Sequence, residues 1–321
     1  MKQLTDSFGR IHDYLRISLT DRCNMQCQYC VPHGDFKAIS ENAKMNSEEL
    51  LAIAGKFIER GIKKIRLTGG EPLLRKDFRE ILQKLSQKNV ELAISTNGLL
   101  LHQFADDLWQ AGLKKVNISL DSLNADAFKQ ITVTGKLDQV LKNIELCLEK
   151  GFEIKINAVA IKGVNEEELI QLARLTLNQS LTVRFIEFMP FHKNEWKISN
   201  LIGLKEILAL LQSEFQLEKL EDGSNDTDKK YKIKGAKGSL GIISTITQPF
   251  CEGCNRLRLT SDGKIKNCLF GREELDLLGE HRKGDDVGSL IEQSLAAKHA
   301  RTGGLNLHDQ AAARSMVSIG G

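Results

Sequence analysis

The feature that most constrains this chain is a repeated alternation of short apolar runs with longer amphipathic stretches. Six runs of strand length, 16–19, 64–67, 91–95, 115–120, 153–160 and 183–188, punctuate the first two-thirds of the sequence. Stretches 50–60, 77–88, 137–150 and 166–178 between them read as helices. In the third, Leu137, Val140, Leu141, Ile144 and Leu148 recur at helical spacing. Ser47 ahead of Glu48 and Glu49, and Asn165 ahead of Glu166, read as caps. Strand followed by helix, six times over, predicts an α/β fold with a parallel sheet and right-handed crossovers, arranged as a doubly wound layer or a barrel. In either arrangement, function gathers at the C-terminal ends of the strands. The residues at those ends are polar or glycine-rich: Thr20-Asp21-Arg22, Thr68-Gly69-Gly70-Glu71, Thr96-Asn97-Gly98 and Asp121-Ser122.

After residue 188 the pattern changes. A helix over 201–211 precedes a polar stretch, 221–228, and strand-like runs at 231–233, 240–246 and 257–259. This predicts a smaller region of antiparallel strands packed on the main sheet. The expected division is 1–190 and 191–321. The net charge of +3 is too mild to argue for nucleic acid or an anionic membrane, but it suits a small anion if the cations are gathered in one cavity. The N-terminus is polar and no apolar run reaches bilayer length, so the expected compartment is the cytoplasm. Thiols are reduced there, and the seven cysteines read as metal ligands or catalysts before disulfides.

Six of those cysteines form two groups. Cys23, Cys27 and Cys30 follow the first strand with spacing C-x3-C-x2-C; Cys251, Cys254 and Cys268 follow C-x2-C-x13-C in the smaller region. Short loops of this kind bring several soft sulfurs to one metal centre. A closed structural site takes four ligands, so three leave a position where an exogenous molecule can bind. The competing reading is structural zinc with a distant fourth ligand, such as His33 for the first group. Cys147 continues the apolar stripe of the 137–150 helix and reads as a small buried hydrophobe.

The segment Cys23-x3-Cys27-x-Tyr29-Cys30 resembles the signature of the radical S-adenosylmethionine (SAM) superfamily, and Gly69-Gly70-Glu71-Pro72 after the second strand resembles its SAM-binding loop. The resemblance narrows to the GTP 3′,8-cyclase family of molybdenum cofactor biosynthesis and runs almost the whole length of the chain. It is carried by Asp6-Ser7-Phe8-Gly9-Arg10, by Leu15-Arg16-Ile17-Ser18-Leu19-Thr20-Asp21-Arg22-Cys23-Asn24, and by Lys64-Ile65-Arg66-Leu67-Thr68. Further matches are Val116-Asn117-Ile118-Ser119-Leu120-Asp121, Arg184-Phe185-Ile186-Glu187-Phe188-Met189, Phe250-Cys251-x2-Cys254-Asn255-Arg256-Leu257-Arg258-Leu259 and the terminal Gly320-Gly321. Val31 stands where methionine is common and Asn267 where proline is common; neither position is a ligand.

The resemblance implies an incomplete parallel (βα)6-type barrel with a smaller C-terminal region of antiparallel strands and helices. It implies two [4Fe–4S] clusters, a first on Cys23, Cys27 and Cys30 that reduces SAM, and a second on Cys251, Cys254 and Cys268 that leaves one iron for the guanine of GTP. Tyr29, Gly70, Glu71, Ser119 and Met189 correspond to positions that meet SAM. Arg16, Lys64, Arg66, Thr96, Lys155, Arg184, Arg256 and Arg258 correspond to positions that meet GTP, with Arg256 and Arg258 also implied in catalysis. Independently of the family, charges in strands of a buried parallel sheet are costly and call for a reason. Lys64 and Arg66, like Arg256 and Arg258, are two apart and share a face; for the second pair, salt bridges on a solvent face are the bland alternative.

The implied reaction abstracts hydrogen from ribose C3′ of GTP, closes a bond to guanine C8 and ends in 3′,8-cyclo-7,8-dihydro-GTP. The implied partners are an electron donor of unidentified kind and the downstream accessory protein that makes cyclic pyranopterin monophosphate; a homodimer stays open, and neither nucleic acid nor membrane is expected. The Gly-Gly tail is implied to reach the active site, where glycine suits a narrow cavity, whereas Gly303-Gly304 reads as a helix stop. Two other readings remain. A peptide-modifying radical SAM maturase would normally carry more auxiliary cysteines, and a zinc module gripping nucleic acid would need a concentrated basic surface.

Overall fold

Parallel pairing of six strands builds the centre of the molecule. A computed structural model describes residues 3–30, 38–305 and 314–320. The strands are β1 (Tyr14–Ser18), β2 (Lys64–Thr68), β3 (Glu91–Thr96), β4 (Lys115–Ser119), β5 (Glu153–Ala160) and β6 (Thr182–Glu187), hydrogen-bonded in that order. Their crossovers are α1 (Ser47–Glu59), α2 (Phe78–Ser86), α3 (Leu101–Gln110), the pair α4 (Ala125–Thr132) and α5 (Leu137–Glu149), and α6 (Glu168–Asn178). Each helix turns an apolar face onto the sheet, as Leu50, Ile53, Ala54 and Phe57 do from α1. β5 shows what the sheet requires of its strands: Ile154, Ile156, Ala158 and Ala160 are buried, while Glu153, Lys155, Asn157 and Val159 between them are not. One face is a hydrocarbon core and the other lines a polar cavity. Cys147 is fully buried in that core, as expected.

The C-terminal region does not pack on the sheet as a separate antiparallel layer. It follows α7 (Leu204–Gln212) and contributes β7 (Leu217–Lys219), β8 (Lys229–Ile233), β9 (Ser239–Ile243), β10 (Arg256–Leu259), β11 (Lys264–Lys266) and β12 (Leu275–Asp276). β9 joins the free edge of β6 and β10 the free edge of β1, both in parallel. The antiparallel pairs β9–β8–β7 and β10–β11–β12 then extend outward. The result is one sheet of order β12-β11-β10-β1-β2-β3-β4-β5-β6-β9-β8-β7, not closed by hydrogen bonds. This agrees with the incomplete barrel and corrects the pairing of runs 240–246 and 257–259. The open edges of β1 and β6 supply unpaired backbone groups, and the C-terminal strands satisfy both. Helices α8 (Leu277–Lys283), α9 (Gly288–Ala296) and α10 (Met316–Ile319) complete the chain.

Two caps differ from expectation. Asn46, not Ser47, caps α1: its Oδ1 accepts from Glu49 N at 2.9 Å, and Glu49 Oε2 accepts from Asn46 N at 2.9 Å, a reciprocal capping box. Asn165 caps nothing with its side chain; it donates to the carbonyls of Asp121 and Val159 at 3.0 and 2.9 Å and so ties the ends of β4 and β5 together.

Candidate active site

Register concentrates the charge. Arg16 on β1 lies beside Arg258 on β10 and Arg66 on β2; one pleat back, Tyr14 lies between Arg256 and Lys64. Asn157 on β5 aligns with Arg184 on β6, and Asn117 with Lys155. Because side chains two apart share a face, all of these project into one cavity of about 630 Å³. Arg66 is pinned by donation to the Ile94 carbonyl at 2.6 Å and to the Tyr14 hydroxyl at 2.5 Å. Arg184 donates to Asn157 Oδ1 at 3.0 Å, Arg258 to the Gly320 carbonyl at 2.5 Å, and Arg256 to the Asn225 carbonyl at 2.7 Å. Lys64 pairs with Glu91 at 2.8 Å nearer the rim.

Burial first, and then mutual repulsion, lower four of the cavity's cations: Arg16, Lys155, Arg184 and Arg258. Arg16 falls well below its ordinary value through burial and the Arg258 charge. Arg184 falls to about 10 through burial, with Asp228 opposing, and Arg258 likewise to about 10 through burial, with Cys268 opposing and Arg256 adding to the fall. Lys155 is lowered by burial and Arg184. Burial alone would raise the Tyr14 phenol, but the guanidinium groups of Arg66 and Arg16 bring it down to about 7. Arginines lowered only to about 10 keep their charge at neutral pH, so a cavity that crowds them is suited to an anion.

The first cysteine group lies on the loop after β1, and its three sulfurs line the cavity. Burial raises the Cys23 thiol to about 11 and puts Cys27 and Cys30 well above the usual range, with Asp121 and the neighbouring thiols adding to the rise for the latter two. Tyr29 is held at both ends. Its hydroxyl donates to Asp121 at 2.7 Å, and its carbonyl accepts from Asn194 Nδ2 at 3.3 Å. Asn194 also holds the Met189 carbonyl at 2.8 Å, which brings the β6 loop against the cysteine loop. Tyr29, Gly70, Ser119 and Met189 all line the same cavity. Gly70 is required by protein rather than by ligand, since a Cβ there would sit 2.2 Å from the Arg22 carbonyl oxygen.

Glu71 is not on the cavity wall. It is fully buried behind the loop and accepts from Thr96 Oγ1 at 2.9 Å, Asn97 N at 2.8 Å and Leu73 N at 3.0 Å. Burial raises its carboxyl to about 7 against those hydrogen bonds. Thr96 lines the cavity but spends its hydroxyl on Glu71 and Gly98 N. Glu71 and Thr96 therefore brace the β2 and β3 ends to each other.

The second cysteine group reaches the same cavity from the β10 edge. Thr302 N donates to Cys251 Sγ at 3.3 Å. Gly303, expected only as a helix stop, lies against this group: a Cβ there would stand 3.0 Å from Cys268 Sγ. Burial would raise the Cys254 thiol, yet the charges of Lys298 and Arg256 bring it below the ordinary value. Gly320 lies against the end of β2, where a Cβ would stand 2.6 Å from Thr68 Cγ2, and its φ is +80°; Gly321 and His33 lie outside the described residues. The tail is tethered by Arg314, which pairs with Asp262 at 2.8 Å and Glu274 at 2.6 Å.

Tyr14 and Lys298 carry no signal in the sequence, and Asn97 and Arg10 stand out in it only within longer motifs, with no role of their own. Asn97 donates to Cys23 Sγ at 3.7 Å and to Asn24 Oδ1 at 2.7 Å; its place directly after a strand end was the available signal. Two sets of three free thiols line one cavity, the first beside the Met25 N–H and the second beside the Thr302 N–H; three thiols are the donor set of an iron–sulfur cluster with one iron left open.

Residues 17–176 match the Radical SAM superfamily, and residues 181–304 match the family Molybdenum Cofactor Synthesis C. "GTP 3',8-cyclase, mitochondrial" of Arabidopsis thaliana is 41% identical over 99% of this chain and 83% of its own length. "GTP 3',8-cyclase" of Peptoclostridium acidaminophilum is 44% identical over 90% of both chains. "Molybdenum cofactor biosynthesis protein 1" of Drosophila melanogaster is 44% identical over 90% of this chain, which spans only 53% of that protein. Among solved structures, Streptococcus suis SuiB bound to S-adenosylmethionine superposes with a TM-score of 0.60 at 16% identity, over 88% of this chain and 68% of that one, and supports the fold. Among the described residues no helix is long and apolar enough to cross a membrane. A radical SAM domain implies SAM and an iron–sulfur cluster. With near-complete coverage at this identity, the chain belongs to the GTP 3′,8-cyclase family of radical SAM proteins.

Proposed function

We propose that this protein is a GTP 3′,8-cyclase, converting GTP to (8S)-3′,8-cyclo-7,8-dihydroguanosine 5′-triphosphate at the start of molybdenum cofactor synthesis. The observation that carries the reading is the meeting of two cysteine triads and a buried cation array on one cavity. Cys23, Cys27 and Cys30 would hold the first [4Fe–4S] cluster, and Cys251, Cys254 and Cys268 the second. With SAM bound, the first cluster supplies a 5′-deoxyadenosyl radical able to remove a hydrogen atom.

The residues do the rest. Arg16, Arg66, Arg184, Arg256 and Arg258, with Lys64 and Lys155, take the triphosphate, whose charge replaces cation–cation repulsion with attraction. Arg66 and Arg258 are already held by main-chain carbonyls, so little side-chain entropy is lost on binding. Tyr29, Gly70, Ser119 and Met189 border the SAM side of the cavity, and Glu71 positions the SAM loop from behind. A substrate held between the two triads has its ribose facing the radical source, which is the proximity the reaction needs. Phe191 stacked on Phe270 at 5.8 Å, with Ile319 of the tail packed on them, forms an apolar wall that limits water. Arg256 and Arg258, flanking the second triad, are placed to stabilise charge on the reacting guanine nucleotide.

A reducing compartment, an electron donor and the accessory protein of the next pathway step complete this reading. The test is anaerobic reconstitution with iron and sulfide, followed by SAM and dithionite with and without GTP. GTP-dependent release of 5′-deoxyadenosine with consumption of GTP is expected. Release indifferent to GTP would keep the radical chemistry and remove GTP as substrate.

A further inference from the structure

The segment Asp6-Ser7-Phe8-Gly9-Arg10 and the buried Lys298 have no part in the chemistry described so far, yet they meet at the second cysteine group. Arg10 and Asp6 form a buried pair at 2.6 Å. From there the Arg10 guanidinium donates to the Cys251 carbonyl at 2.9 Å, and also to the Ala300 and His299 carbonyls at 2.8 and 3.0 Å. The N-terminal hairpin thus binds a cysteine 241 residues away along the chain. Lys298 is only 5% exposed, and its ammonium donates to the carbonyls of Asn267 and, at 3.4 Å, Arg256. Those are the residue before Cys268 and the second residue after Cys254. Every cysteine of the triad therefore has a cation on its own or a nearby carbonyl.

Burying a lysine against neutral carbonyls is expensive, with a cost that must be offset by something negative nearby. Asp6 is taken up by Arg10, and His12 bonds the same Asp6 oxygen at 3.0 Å as a neutral ring, its pKa pushed by burial and the Lys298 charge to about 4. Arg10, Lys298 and Asp6 together leave one positive charge, added to those of Arg256 and Arg258, beside three sulfurs that must be thiolates to bind iron.

We propose that Arg10 and Lys298 are positioning residues for the second cluster: a clasp that fixes the three-cysteine loop in its ligating shape and places a permanent positive charge beside it. This rests on the reading of Cys251, Cys254 and Cys268 as cluster ligands. Net charge and hydrogen bonding near a cluster set its potential, and outer-shell partners of metal ligands support affinity by on the order of 10- to 100-fold.

The test uses the full chain as the C23A/C27A/C30A variant, which keeps only the second group. The reconstituted protein is titrated with EPR detection for its midpoint potential and challenged with a chelator. K298M should lower the potential and speed iron loss on the order of tenfold or more, and K298R should restore most of the potential. R10K keeps the charge and loses the forked donor, so it should speed iron loss with a smaller change in potential. If K298M does not fold, K298Q and R10K carry the same comparison. Unchanged potential and unchanged chelator resistance across these variants would overturn the clasp. A parent variant that folds yet takes up no iron would instead refute the second-cluster reading.

Discussion

The two cysteine groups share a donor set and a cavity but sit in opposite electrostatic surroundings. Around the first, Asp121 and Glu71 add negative character, and burial holds Cys23, Cys27 and Cys30 above the usual thiol range. Around the second, Lys298 and Arg256 pull Cys254 below it against burial. A negative environment disfavours adding an electron to a cluster and makes it a stronger reductant once charged; a positive one does the reverse and draws an anionic substrate. Within the second group the contrast is carried by Cys254, since burial raises Cys251 as it does the first three; it accords with the proposed tasks of electron delivery to SAM at the first group and nucleotide binding at the second. Ligand count alone could not separate them.

The largest effects should split the two groups. Cys30→Ala is expected to reduce 5′-deoxyadenosine release to background. Cys254→Ala should leave reductive SAM cleavage measurable and remove the cyclised product, both read by liquid chromatography with mass detection. Full product formation by the second variant would break the comparison at once.

Next in size are the cations. Arg258→Met removes a charge-assisted contact, worth about 1.5–3 kcal/mol. It should lower kcat/KM for GTP by roughly 10- to 150-fold while leaving GTP-independent SAM cleavage closer to wild type. An equal loss in both readouts would make Arg258 a structural residue.

The carboxylates give the groups opposite responses to pH. Glu71 has a folded-state value raised to about 7 from 4.5, so its contribution to stability is present below about 4.5 and is lost as pH rises through 7. Full ionisation costs up to about 3 kcal/mol. Asp6, beside the second group, is lowered to about 2 from 3.8 by hydrogen bonds from His12 and Arg10 that outweigh burial; its contribution is present above about 3.8 and fades as pH falls through 2. Denaturation of the apo-protein between pH 4.5 and 8 should show a decline in stability that is shallower in Glu71→Gln. An unchanged slope would remove Glu71 as its source.

The smallest effect sharpens the contrast between buried and merely nearby charge. Arg301 pairs with Glu252 at 3.1 Å right beside Cys251, but both side chains are largely exposed. Arg301→Ala should change stability by under about 0.5 kcal/mol and leave the potential of the second cluster unmoved.

Much of this was legible in advance. The runs at 64–67, 91–95, 115–120, 153–160 and 183–188 became β2 to β6 within a residue or so at each end, because period and length are local properties. α3 and α4, not named from the sequence, were hidden by polar surface-facing residues such as Asp106, Asp107 and Asp126. Ser47 was mistaken for the cap because Asn46 and Ser47 are both good capping residues, and only backbone geometry chooses between them. Glu71 corresponds to a position that meets SAM, whereas its three donors, Thr96 Oγ1, Asn97 N and Leu73 N, are all protein groups.

By itself the sequence determined the strand–helix alternation, the two three-sulfur groups and the two-residue parity that sets Arg66 with Lys64 and Arg258 with Arg256 on one face. Each of these is short-range, written in spacings that any strand or loop must respect. The tertiary structure decided that β9 and β10 go to opposite edges of the central sheet. That choice depends on which unpaired strand edges remain once β1 to β6 have assembled, and no local spacing carries it. It aligns Arg258 with Arg16, brings the second triad to the cavity that the first one lines, and lays the Asp6–Arg10 segment on Cys251.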